Sequence, residues 1–206
     1  MPEIAIDRVT QRENQITNSL RHCGHYGIGQ SMYDLNFNES NWALQQIPES
    51  IKPGAVVGEF GCLDGSVAFN IADYCKHVYA YDLPEVIEKC KYGASNLTYQ
   101  GIDLDKIFPS LITGHYDLII AMDVIEHLYN DRDFLIACVQ NLYMNGRIII
   151  SVPISEDGTV NQDHSRRTHF REYTQWGFRS MLDDAGIYII DMHKQPDMIY
   201  IVGGKR

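Results

Sequence analysis

Three carboxylates sit at positions suited to gripping a hydroxyl-rich ligand. Glu59 lies in the stretch VVGEFGCLDGS, just before Gly61 and Gly65. Asp82 closes the apolar run HVYAYD, and Asp103 closes LTYQGID. A carboxylate at the end of a second strand can accept two hydrogen bonds from a ribose diol, and it repels a phosphate on that ribose. One at the end of a third strand can accept from an exocyclic adenine amine. Gly61 allows close approach of backbone to ligand, and Gly65 allows a helix to start tightly against the strand. The N-terminus of that helix is expected to aim unpaired N–H groups at the site. Leu63 stands between the glycines, where a pyrophosphate would need bare amides.

A second constellation could move protons. The run DVIEH (123–127) follows an apolar segment. Asp123 reads as a helix N-cap, with Glu126 as its capping-box partner. His127, one turn further on, is the first candidate for a general base. His169 opens HFREYT and is the second. Thr174 reads as the cap of a last helix, with Arg171 and Glu172 on the solvent side. His164, Arg166 and Arg167 fall in an irregular stretch, as a solvated loop or as contacts to an acceptor.

The elements that must carry these residues alternate after about residue 54. Strand-like runs are AVVGEF (55–60), HVYAYDL (77–83), LTYQGID (97–103), YDLIIAM (116–122) and RIIISVPI (147–154). Helical segments are expected at 65–75, 84–92 and 125–143, with a shorter one at 104–112. Such alternation predicts parallel βαβ units buried on both faces. The end departs from the pattern. A helix at 172–185 stops at Gly186, and IYIIDMH (187–193) and MIYIVGG (198–204) flank only KQPD, so they pair as an antiparallel hairpin. Residues 1–53 read as a separate helical cap or lid, with helices near 7–21 and 40–47 and with His25, Tyr26 and Tyr33 between them. Residues 54–206 form the main domain. The stretch 155–170 lacks periodicity, as functional loops often do.

Bulk properties narrow the partners. The 206 residues carry a net charge of −10, which disfavours nucleic-acid backbone binding, and no DNA partner is expected. None of the five cysteines forms a C-x-x-C pair, so free buried thiols in a reducing compartment are expected. No apolar stretch approaches the about 20 residues of a membrane span, and the N-terminus lacks a signal-peptide core. A cytoplasmic protein with no membrane partner is expected. No feature sets an oligomeric state.

Taken together, these residues resemble a class I S-adenosylmethionine-dependent methyltransferase of the small-molecule type. EFGCLDG is similar to the family's acid-plus-glycine motif at Glu59, Gly61 and Gly65, and departs at Leu63, read here as a local change in loop path. YDLIIAMDVIEHL, NGRIIISVP and HFREYTQWGFRSMLDDAG resemble its fourth-strand, fifth-strand and closing segments. The resemblance implies an α/β fold, doubly wound and mostly parallel, with seven strands in the order 3-2-1-4-5-7-6. It implies S-adenosyl-L-methionine as cofactor and S-adenosyl-L-homocysteine as product. The implied cofactor residues are Glu59, Gly61, Cys62, Gly65, Asp82, Leu83, Asp103, Leu104, Met122 and Asp123, with His127 and His169 as catalytic candidates. Glu59 and Asp123 would bring negative charge toward the sulfonium.

The implied reaction is in-line methyl transfer to a small-molecule acceptor, at oxygen rather than nitrogen. AMDV stands where an N-P-P-Y-type motif would, which disfavours amino methylation of DNA bases. Some related patterns use Glu and His from such a helix to hold magnesium or manganese. Here Glu126 and His127, with Asp123, His164 or His169, would be the ligands. The shorter Asp123 weakens the match, and no resident metal is expected. Two other readings compete: a nicotinamide-dependent dehydrogenase, and a non-catalytic subunit of the same fold.

Overall fold

The computed structural model describes residues 42–106, 115–158 and 169–206. Seven strands form one sheet in the order β3-β2-β1-β4-β5-β7-β6, as expected. They are β1 (Val56–Phe60), β2 (His77–Asp82), β3 (Leu97–Gly101), β4 (Tyr116–Met122), β5 (Leu142–Pro153), β6 (Ile187–Lys194) and β7 (Met198–Lys205). β1 pairs in parallel with both β2 and β4. Strand order therefore reverses between β1 and β4, the position where doubly wound sheets open a crevice. β7 lies antiparallel between β5 and β6, so the C-terminal hairpin completes one edge.

Helices cover the sheet because the strands are apolar on both faces. In chain order they are α1 (Trp42–Ser50), α2 (Ser66–Ala72), α3 (Pro84–Ile87), α4 (Asp131–Asn141) and α5 (Gln175–Asp184). One cluster packs Phe60, Tyr81, Tyr116, Phe134 and Phe178 with β4 and β5 residues. The Tyr81 and Tyr116 hydroxyls meet at 2.7 Å within it, so neither polar tip is stranded. The opposite face packs Ile47, Val57, Ile71, Leu118 and Ile149.

Several expected boundaries shift, each for a local reason. The helix expected at 125–143 splits: a 3-10 turn spans Ile125–His127, Leu128 is extended, and α4 begins only at Asp131. Asp123 is not its cap. It takes φ 54°, and its carboxylate instead accepts from Ser151 Oγ at 2.7 Å. β5 starts five residues earlier than its apolar run, at Leu142, where pairing with Tyr116 supplies partners that hydropathy does not reveal. β3 stops at Gly101, so Asp103 lies just beyond the strand. The segment expected at 84–92 keeps only the short α3, and at 104–112 a 3-10 turn covers Leu104–Lys106, with 107–112 outside the described residues. Most of the cap, with His25, Tyr26 and Tyr33, also lies outside them, as do His164, Arg166 and Arg167. α1 is the part of the cap that is described, and Trp42 stacks on His193 at 5.6 Å. Among the described residues no helix is long and apolar enough to cross a membrane.

Candidate active site

The loop after β1 is strained and tightly tied. Gly61, Leu63 and Gly65 take φ values of 77°, 50° and 80°. A Cβ on Gly61 would collide with Val124, and one on Gly65 with the Tyr99 ring. Leu63 has no glycine's freedom, and a left-handed backbone there costs about 1–2 kcal/mol. The leucine is therefore accommodated as backbone strain. Its neighbours hold it: the Leu63 N–H donates to Asp82 Oδ2 at 2.9 Å, and its carbonyl accepts from Cys90 Sγ at 3.3 Å.

The loop amides are used internally, contrary to the expectation of bare N–H groups. Gly61 and Cys62 donate to the Tyr81 carbonyl, and Gly65 to the Cys62 carbonyl. Ser66 donates to Asp64 Oδ1, and the Ala68 amide donates to Glu59. A pyrophosphate needs free amides at this position, and the loop leaves few. The arrangement favours a ligand read by carboxylates instead.

Those carboxylates are buried at the strand ends. Asp82 is 7% exposed and Glu59 4%. Burial pushes Asp82 up to about 6, against the lowering effect of the Leu63 and Leu83 amides. Burial, then the nearby Asp82 charge, raises Glu59 well above the ordinary carboxylate range. Glu59 Oε2 has no hydrogen-bond partner among the described residues, although it is fully enclosed. An acceptor left in that state costs about 1–3 kcal/mol, and no donor among the described residues meets it. Asp103 Oδ1 accepts from Asp105 N–H, and its Oδ2 pairs with Lys106 at 3.0 Å. Leu104 is buried beside it, Leu83 and Met122 are half-buried, and Cys62 is buried. Asp123 is exposed at the end of β4.

Across the crevice, His127 and His169 come together from distant parts of the chain. Their rings lie 4.8 Å apart, edge to face. His127 Nε2 is 4.0 Å from Glu126 Oε1, and His169 Nδ1 is 3.7 Å from Glu172 Oε1. Both glutamates are buried, which corrects the solvent-side expectation for Glu172. Ligand atoms of Glu126, His127 and His169 all lie within 4.8 Å of one another. That spacing serves a carboxylate-oriented base pair, and it also fits three ligands of a divalent cation.

A residue the sequence did not single out holds this pairing in place. Buried Asp131, at the start of α4, receives Tyr173 Oη at 3.0 Å and Arg171 at 2.7 Å through the same oxygen. Arg171 also donates to the Tyr129 carbonyl, and Phe170 N–H to the Glu126 carbonyl. The segment 169–173 is thereby pinned over the 125–127 turn. Thr174 then caps α5 by accepting from Gly177 N–H, as expected.

Residues 58–150 match a family model described as a methyltransferase domain. Over these residues the chain is similar to methyltransferase domains. Its fold is that of class I S-adenosylmethionine-dependent methyltransferases. The N-methyltransferase NodS from Bradyrhizobium japonicum, solved with S-adenosylhomocysteine, superposes with a TM-score of 0.69 at 15% identity, over 93% of this chain and 97% of that one. The 1,6-didemethyltoxoflavin-N1-methyltransferase of Burkholderia thailandensis gives 0.68 at 16% identity, covering 100% and 93%. A comparison with curated protein sequences finds no significant match. Nothing in these likenesses supports the dehydrogenase reading.

The pinning by Asp131 has a measurable consequence. Asp131→Ala strands the Tyr173 hydroxyl and releases Arg171, which is partly solvent-screened, so the net loss is about 2 kcal/mol. Urea unfolding is expected to show a lower midpoint with an unchanged slope.

Proposed function

We propose that the protein transfers a methyl group from S-adenosylmethionine to the oxygen of a small-molecule acceptor. The observation that carries this reading is the loop after β1: its amides are spent on the chain, while Asp82 and Glu59, with its orphaned oxygen, lie buried at the strand ends beside it. A ligand with hydroxyls and positive charge, and no phosphate, answers both features. Asp82 would accept from the ribose hydroxyls, Leu83 and Leu104 would flank the adenine, and Asp103 would accept from its amine. Glu59 and Asp123 would supply negative charge toward the sulfonium. Gly61, Cys62, Gly65 and Met122 would form the wall against which it rests. When bound, the cofactor supplies an activated methyl group, and the chain's own task is to hold the acceptor in line with it.

An oxygen acceptor must lose its proton, and His127 with His169 supports that role. Glu126 and Glu172 orient the two rings, so that one imidazole takes the proton while its carboxylate stabilises the charge formed. The cap of residues 1–53 is assigned the exclusion of water from the site, with its helix α1 anchored to the 54–206 domain through Ile47. A soluble, cytoplasmic setting agrees with the absence of any membrane-spanning helix among the described residues.

The binding reading is tested by thermal melting. S-adenosylhomocysteine is expected to raise the midpoint and NAD to leave it unchanged; no shift with S-adenosylhomocysteine at millimolar concentration ends the proposal.

Asp82 sets a pH dependence. Below its value of about 6 the free protein's carboxyl is protonated and is a poorer acceptor for two hydroxyls. Affinity for S-adenosylhomocysteine therefore falls between pH 7 and pH 5, by up to about tenfold at pH 5. Asp82→Ala weakens binding by about 1–3 kcal/mol and flattens this profile in calorimetric titration.

His127→Ala is expected to lower kcat by about 100-fold or more, with cofactor affinity unchanged. Chelator dialysis should leave wild-type turnover intact. A loss reversed by added magnesium would assign the Glu126–His127–His169 cluster to a cation instead.

A further inference from the structure

The two halves of the crevice are joined by a side chain so far assigned to neither. Asp105 lies half-buried in the 3-10 turn Leu104–Lys106, just beyond β3. That turn is well fixed. Ile102 N–H donates to the Asp82 carbonyl at 2.7 Å, and Lys106 N–H donates to the Asp103 carbonyl at 2.9 Å. Asp103 Oδ1 also accepts from Asp105 N–H at 3.2 Å. Asp105 therefore moves with Asp103 and Leu104, the two residues assigned to the adenine.

Its acceptors serve a segment 24 and 25 residues further along the chain. Asp105 Oδ1 accepts from Tyr129 N–H at 2.7 Å and from Asn130 N–H at 3.1 Å. Asn130 Nδ2 donates back to the Asp105 carbonyl at 3.0 Å. Tyr129 and Asn130 are exposed, but one carboxylate oxygen taking two N–H groups makes charge-assisted bonds that compete well with water. Asn130 precedes α4 and makes no side-chain cap bond of its own. Asp105 supplies an acid at that helix start from another part of the chain, where the helix dipole favours negative charge.

The segment so held connects to both histidines. Tyr129 follows His127 by two residues. The Tyr129 carbonyl accepts from Arg171 at 3.1 Å, and its ring meets Phe170 edge to face at 5.7 Å. Phe170 is next to His169 and donates its N–H to the Glu126 carbonyl at 2.9 Å. Asp131, the first residue of α4, holds Arg171 and Tyr173. A continuous route of bonds and ring contacts thus runs from the adenine side, through Asp105, to the segment that sets His169 against His127.

We infer that Asp105 is a positioning residue that couples occupancy of the adenine side to the seating of residues 169–173 over the 125–127 turn. The inference rests on the reading of Asp103 and Leu104 as the adenine side. A bound nucleoside restrains the 103–106 turn, Asp105 passes that restraint to residues 129–130, and the closing segment opens less often. The driving free energy is the ligand's preference for the fixed turn over the loosened one, and local opening carries it without a change of fold.

The test is backbone amide exchange on the full chain, read by mass spectrometry with and without S-adenosylhomocysteine. In the free protein, Asp105→Ala should speed exchange at 129–130 and 170–173 by about tenfold or more, with β1 unchanged. In the wild type the ligand should slow exchange at 170–173 by about fivefold or more, together with the 61–66 loop. In Asp105→Ala it should still slow the loop and no longer slow 170–173. Asp105→Asn keeps an oxygen in the same place and should restore the distant effect, which a general loss of stability would not predict. Should the alanine variant fail to fold, Asp105→Ser, whose oxygen is too short to reach both amides, takes its place under the same criteria. Wild-type slowing confined to the loop overturns the proposal, as does slowing at 170–173 that survives in Asp105→Ala or an asparagine variant that behaves like alanine. If the ligand slows nothing in the wild type, the functional reading falls and the coupling with it, while the free-protein rates judge the Asp105 tie by themselves.

Discussion

The bond from Leu63 N–H to Asp82 carries more of this structure than its 2.9 Å length suggests. It joins the end of β2 to the turn after β1, beside the β1–β4 boundary where strand order reverses. Leu63 would not hold a left-handed backbone unless something fixed both of its peptide groups. Asp82 would not keep a carboxylate so enclosed without amides to accept from. Each resolves the other's difficulty. The loop's shape and the placement of the nearest buried acid are therefore one arrangement.

This coupling explains which parts of the site were legible in the sequence. Acids at the ends of apolar runs are visible as letters because a buried strand reads as a block and its terminus as a break. Glu59, Asp82 and the β1 glycines stand out that way, whereas the strand order came with the family resemblance and the C-terminal hairpin from two apolar runs separated only by KQPD. The use of the loop amides was not legible. Whether an N–H faces a ligand or a neighbouring carbonyl depends on φ at Leu63, and a leucine gives no warning of φ 50°. The same holds at Asp123, whose φ of 54° turns the chain out of the expected helix and leaves Glu126 and His127 on a short 3-10 turn. Local propensity favoured a capped helix there, and the Asp123–Ser151 bond across to β5 prevailed.

The second half of the site depends on a contact of long sequence separation. His169 is useful to His127 only because Asp131, Arg171 and Tyr173 fold the closing segment back over the 125–127 turn. In the sequence, Asp131 is one acid in a run of polar residues, and Glu172 looks like a surface charge beside Arg171. Burial reverses both readings. Once Tyr173 pairs beside Ile154 and its hydroxyl needs an acceptor, Asp131 must turn inward, and Glu172 is carried in beside His169. Pattern reading sees neither step, since each follows from a partner more than 18 residues away.

The electrostatics of the two halves point toward one kind of occupant. Burial raises the cost of ionising both Glu59 and Asp82, the Asp82 charge adds to that of Glu59, and among the described residues no cation is paired with either. A positively charged guest with hydroxyls lowers both costs together: its charge offsets the repulsion, and its donors replace the water each carboxylate gave up. A neutral guest with hydroxyls supplies only the donors, and an anionic one adds repulsion. Selection for a sulfonium-bearing nucleoside over a dinucleotide then needs no dedicated discriminating residue. It follows from loop amides spent on Tyr81, Cys62 and Asp82, which leave little for phosphate, and from buried carboxylates that a positive charge favours.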